Sequence, residues 1–171
     1  MKAIVRTCWE ICLLRQGPQV FPRSWALFAI MLMAYLLMDG ILFIAQGLRG
    51  FNIVTETLCD AALLLAFFVL VLVIWRKPAR FNQAVLALLG TGTIIMLVAV
   101  PVSFAATLLP PSPAVDVAGV LLYGILAWNI LVMGFVTRHA LDTSLLIGII
   151  IAGTYTLLNL VLFAVFFPIK S

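Results

Sequence analysis

Between Arg80 and Asp116 the chain reads FNQAVLALLGTGTIIMLVAVPVSFAATLLPPSPAV (Phe81–Val115), without one Asp, Glu, Lys or Arg. A helix crossing ~30 Å of hydrocarbon needs about 20 residues at 1.5 Å each. This stretch is longer and closes on Pro110-Pro111-Ser112-Pro113, so it holds one span together with interface residues. Its apolar residues run continuously instead of alternating, which excludes a strand of a membrane barrel. Lipid offers no partner to an unpaired backbone N–H or C=O, so the span is a helix.

Outward from it, Val117–Thr137 and Thr143–Ile169 are equally free of charge, while Trp25–Leu48 and Val54–Trp75 are interrupted only by acidic residues. The whole chain agrees: 171 residues, 65% hydrophobic, 9% charged, mean hydropathy +1.28. Soluble domains are about 45–50% apolar and about 25% charged. The sequence therefore predicts an all-α, polytopic integral membrane protein with spans near 25–47, 54–75, 84–109, 117–137 and 144–167. Arg76-Lys77-Pro78, the proline cluster and Arg138-His139 with Asp142 punctuate the spans, and Trp25 and Trp75 sit at span ends, where indole favours the interface.

Charge sets the expected direction. With a cytoplasmic N-terminus, Lys2, Arg6, Arg15, Arg23, Arg76, Lys77, Arg80 and Arg138 lie inside, against Arg49 and Lys170 outside. Positive charge concentrates on the cytoplasmic side, so five spans put the C-terminus outside. The net charge of +4 reflects this asymmetry, and no basic soluble face exists for nucleic acid. The partners expected are the lipid bilayer and other membrane proteins or further copies of the chain.

The first 24 residues form a separate segment. Met1–Leu14 is no secretory signal, because Glu10 and Arg15 break up its apolar residues. Ile4, Val5, Cys8, Trp9, Ile11 and Cys12 recur at helical spacing opposite Lys2, Arg6 and Glu10. That pattern predicts an amphipathic helix in the headgroup plane, serving as a topology anchor or a docking surface. Cys8 and Cys12, one turn apart on its lipid-facing side, suit packing or S-acylation, and Cys59 has no evident partner.

Recognised catalytic motifs are missing: there is no HExxH, GxSxG, P-loop or dinucleotide fingerprint. The lone His139 lacks metal-ligand neighbours. No cofactor or metal is expected, and the expectation is a non-enzyme. Polarity inside the spans is the remaining lead. Asp39 lies about 14 residues into its span, ~21 Å at 1.5 Å per residue. Asp60 enters the antiparallel neighbour from the other side to a similar level, with Glu56 one turn away on the same face. Ionisable residues in a span mark functional sites by default. Two readings stay open: an inward-facing acid pair sharing one proton, or an outer rim neutralised by Arg49. Asn129 and Asn159 add amides, and Asn129 is the expected partner across the last two spans. Gly148, Ala152 and Thr156 form a small-residue line for close helix packing, with Tyr155 beside it, and Gly90 and Gly92 mark a second close approach. Pro101 removes a helical donor within the third span.

The run Arg80-Phe81-Asn82-Gln83 leading to Leu88-Leu89-Gly90-Thr91-Gly92, then Pro101, within five spans, resembles the bacterial Yip1-like membrane proteins. Eukaryotic members of that family carry a cytosolic N-terminal domain and act in vesicle traffic through small GTPases. Here the resemblance covers the membrane region alone and supplies no catalytic residues. It implies a non-enzymatic scaffold or assembly protein, acting through helix–helix contacts in a bacterial inner membrane. The alternative is a small transporter, or a subunit of one, with a polar pathway through Asp39, Asp60 and Asn159.

Overall fold

The computed structural model describes residues 2–22, 24–47, 51–110 and 112–166. They form six α-helices and, among the described residues, no strand. The helices are α1 (Lys2–Cys12), α2 (Trp25–Ala45), α3 (Phe51–Ile74), α4 (Phe81–Leu108), α5 (Pro113–Leu141) and α6 (Leu145–Phe166). The last five are each long and apolar enough to cross a bilayer, with mean hydropathies from 2.0 to 2.7. The chain is an integral membrane protein built as an all-helical bundle.

Local chemistry sets the ends. Ser24 caps α2, its Oγ accepting from the Leu27 N–H at 3.3 Å. Pro113 opens α5 in the first turn, where its missing N–H costs nothing. Asp142 ends α5 in the left-handed region at φ 53°, and the Arg138 carbonyl accepts from both Asp142 and Thr143. The remaining carbonyls of that last turn take side-chain donors from the α3–α4 connection. Lys77 Nζ donates to the Leu141 carbonyl at 2.7 Å, and Arg80 Nη1 to the His139 carbonyl at 3.0 Å. Both cations also pair with Asp142, at 2.6 and 2.8 Å. One charged knot thus ties two turns together and satisfies carbonyls that a helix leaves open.

Helix α4 is the hub. Every residue from Ala84 to Thr91 is buried, so more than two turns are covered on all sides, by α1, α2, α3 and α5. Small residues make the coverage possible. A Cβ on Gly90 would stand 2.5 Å from Cys8 Sγ, and one on Gly92 would stand 2.9 Å from the Tyr35 ring. The α5–α6 pair crosses more closely still: a Cβ on Gly148 would collide with the Gly134 carbonyl oxygen. Ala152, next on that face of α6, is fully buried. At the far end of α2 the orphan Ala45 carbonyl accepts from Thr107 Oγ1 at 2.8 Å.

Helix α1 departs from expectation. Its Cys8, Ile11 and Cys12 are 2%, 0% and 1% exposed, inside the protein and not facing lipid. Cys12 Sγ donates to the Thr91 carbonyl at 3.9 Å, and Trp128 Nε1 donates to the Cys12 carbonyl at 2.9 Å. The opposite face carries the exposed Arg6–Glu10 ion pair at 2.9 Å. The amphipathic reading holds for the periodicity, but the apolar face divides: the groove over Gly90 and Thr91 takes Cys8, Ile11 and Cys12, while Val5 and Trp9 stay exposed. Burial pushes the Cys8 thiol up to about 11 and Cys12 to about 12. Both stay neutral thiols, and neither offers the accessible sulfur that S-acylation requires.

Candidate functional site

Each spanning helix turns one stripe toward a common interior. On α2 the stripe is Tyr35, Asp39, Leu42 and Gln46; on α3 it is Glu56, Asp60 and Leu64. Leu88, Thr91 and Ile95 come from α4, Leu126, Asn129 and Met133 from α5, and Tyr155, Asn159 and Phe163 from α6. All repeat at three or four residues, the spacing of one helix face. Together they enclose a cavity of about 720 Å³. It lies in the half of the bundle nearer Gln46, whose exposed side chain marks its mouth. The other half is filled by Phe68, Leu72, Leu86 and Leu89 at 0–1% exposure, and none of these four lines the cavity.

Asp60 is the best-held group in it. Its Oδ2 accepts a short hydrogen bond from the Tyr35 hydroxyl, and its Oδ1 accepts one from Asn159 Nδ2. The Tyr155 hydroxyl donates to Oδ1 at 3.4 Å. Two helices, α2 and α6, therefore aim three donors at one carboxyl on α3, which is 7% exposed. Tyr35 reaches it because Gly92 leaves room for the ring. Tyr155 is steadied by Phe67, with ring centroids 5.4 Å apart.

Asp39 stands beside it, 4% exposed, and its Oδ2 has no hydrogen-bond partner. Glu56, one turn from Asp60, is also buried and lines the same cavity. Among the described residues no Lys, Arg or His lines it. Of the two readings open from sequence, the rim does not hold for Asp39 and Asp60: both carboxyls face the interior. Arg49, its counter-charge, lies outside the described residues. Asn159 gives its amide to Asp60, not to Asn129, because the acid on α3 is the stronger acceptor within reach; Asn129 lines the cavity from α5.

The small residues divide by role. Gly90 seats α1, Gly92 seats Tyr35, and Gly148 with Ala152 sits at the α5–α6 contact. Thr156 lines the cavity and bonds back to its own helix at Ala152, 3.0 Å away. His139 is satisfied locally, its Nδ1 lying 2.8 Å from the Phe135 carbonyl. Among the described residues no three His, Cys, Asp or Glu side chains group as a metal site. Sequence reasoning passed over Tyr35, Gln46 and Gly134. Tyr35 had a signal: it stands one turn before Asp39, and a tyrosine deep in a span needs a partner for its hydroxyl.

No family model, curated protein or solved structure matches this chain.

Proposed function

We propose that the chain is a small membrane transporter, or the ligand-binding subunit of one, with Asp39, Asp60 and Asn159 in its polar pathway. The observation that carries this is the cavity itself: about 720 Å³, within the bundle, with three buried carboxyls, Asp39, Glu56 and Asp60, on its wall. Ligand sites commonly run ~300–1,000 Å³, mostly apolar with few polar groups. Buried acids are costly in a bilayer, and scaffolding through helix contacts gives them no task. Asp60 is the counter-charge, held in place by Tyr35, Tyr155 and Asn159. A cavity confined to one half of the bundle suits one state of alternating access.

The direction proposed follows charge. The end carrying Arg76, Lys77, Arg80 and Arg138 is cytoplasmic, and the cavity opens to the outside of a bacterial inner membrane. Reporters fused within Arg76–Arg80 and after Ser171 should report opposite sides. The functional test is uptake by vesicles containing the purified chain, comparing the original with Asp60→Asn. Solute or ion flux that the variant loses supports the proposal. A competing proposal is an assembly protein of the Yip1-like kind. A stable complex with another membrane protein, unaffected by Asp60→Asn and without flux, would favour it.

A further inference from the structure

We propose that the cavity takes an organic monocation, a protonated amine on an apolar body, with its ammonium seated between Asp39 and Asp60. This rests on reading the cavity as a ligand site, and it assigns the class of ligand. The cluster of acids alone would not carry it. The second observation is Asp39: the residue lines the cavity and is 4% exposed, and its buried Oδ2 has no hydrogen-bond partner, the neighbouring Thr57 hydroxyl being buried and unpaired as well. A buried acceptor left open is expensive, and a donor brought by the ligand removes that cost. Asp60 differs, since its oxygens already take donors from Tyr35, Tyr155 and Asn159. It contributes charge at a fixed point, while Asp39 contributes the open hydrogen-bonding position.

Three features select the class. The charge must be positive, because acids line the cavity and, among the described residues, no basic side chain does. A divalent metal is a poor fit, because the acids do not converge as a set of three ligands and hard cations demand several oxygens at close range. The ligand must also be large and largely apolar. The rest of the wall includes Ile95, Met96, Leu126 and Leu160, with Phe43 and Phe163 stacked at 5.7 Å. A bare inorganic ion would leave those walls unoccupied. Aromatic faces, by contrast, attract an ammonium and pack against a ring. An ammonium on an apolar body could come from a soluble amine or from a phosphatidylethanolamine headgroup.

The full chain in phosphatidylcholine nanodiscs is titrated with 2-phenylethylammonium, using 2-phenylethanol, 3-phenylpropionate and sodium chloride as comparators. Saturable binding of the ammonium alone is expected, weakened at least tenfold in Asp39→Asn. Should that variant fail to fold, Leu126→Trp fills cavity space from α5 without replacing an acid and is expected to weaken binding comparably. Equal binding of the neutral alcohol, or unchanged affinity in whichever variants fold, would overturn the proposal. Competition by phosphatidylethanolamine added to the disc assigns the ammonium to lipid, and its lack of effect assigns a soluble amine. Binding without vesicle flux defeats transport while leaving the ligand class standing. Flux of sodium without ammonium binding does the reverse.

Discussion

The same substitution, glycine to alanine, should give opposite results at Gly148 and Gly124. Alanine gains ~0.8–1 kcal/mol over glycine in a helix interior, because glycine loses more backbone freedom on ordering. At Gly124 nothing lies within 4 Å of the added Cβ, so Gly124→Ala should keep most of that gain. At Gly148 the Cβ falls on the Gly134 carbonyl oxygen and 3.1 Å from the Arg138 nitrogen. Those neighbours are backbone and cannot swing aside, so α5 and α6 must separate. Overpacking costs ~1–3 kcal/mol, and the helical gain offsets only part of it. Gly148→Ala should end up to ~2 kcal/mol below the original and Gly124→Ala ~0.5–1 above it. At ~2–4 °C per kcal/mol for a domain of this size, the two should melt several degrees apart. Thermal unfolding in a mild detergent, followed by the monodisperse fraction on a sizing column, reads this directly. If Gly148→Ala melted with or above Gly124→Ala, the close α5–α6 crossing would not exist as described.

Three further outcomes follow from the contacts. Tyr35→Phe keeps the ring seated on Gly92 but leaves Asp60 Oδ2 without its donor; a buried acceptor left unpaired costs about 1–3 kcal/mol, and the melting temperature should fall accordingly. Asp142 is held down at about 2 by the Arg80 and Lys77 hydrogen bonds, against an ordinary 3.8. Its contribution is therefore complete above the ordinary value and disappears as pH falls from there through about 2, so Asp142→Asn should flatten the acid limb of a stability–pH curve. Cys8 and Cys12 should resist a maleimide in the folded protein and react after denaturation, as mass spectrometry of the labelled peptides would report.

The number and approximate limits of the spans were legible because hydrocarbon thickness imposes them: Phe81–Val115 must contain a crossing wherever it packs. Which way each helix faces was not legible, and the reason is physical. Lipid is as apolar as a protein core, so α2 exposes Ile30, Met33, Leu37 and Ile41 to lipid while burying Leu27, Tyr35 and Asp39. The hydrophobic stripe that orients a helix in water is missing. Polar residues carry the signal instead, and Asp39, Asp60, Asn129 and Asn159 were found that way. Their level in the bilayer followed from residue counting at a fixed rise. Interior or rim required knowing the rotation of α2 and α3; Gly92 seats the Tyr35 ring of α2, and that ring reaches Asp60 on α3, approaches that only the assembled bundle reveals. The α1 error has the same origin: an amphipathic helix shows one apolar face, and lipid and a groove over Gly90 satisfy it equally.

That groove gives α1 a part in the cavity. Thr91 lines the cavity from α4, and its carbonyl accepts from Cys12 Sγ on the other side. Trp128 holds the Cys12 carbonyl, while Asn129, the next residue, faces the cavity. Helix α1 therefore stands behind the wall formed by α4 and α5. Deleting residues 1–15 should leave insertion intact, since the five apolar spans supply it, yet loosen that wall. Ile11→Ala is the milder form: Ile11 has no exposed surface, and such truncations cost about 2–5 kcal/mol. Both variants should lower the melting temperature and weaken ammonium binding, although neither removes a residue that lines the cavity. Protease protection of membrane vesicles would check insertion of the shortened chain, and titration in nanodiscs would check the site. A deletion that inserts, melts and binds like the original would reduce α1 to a surface ornament. The packing of Cys8, Ile11 and Cys12 against α4 predicts the opposite.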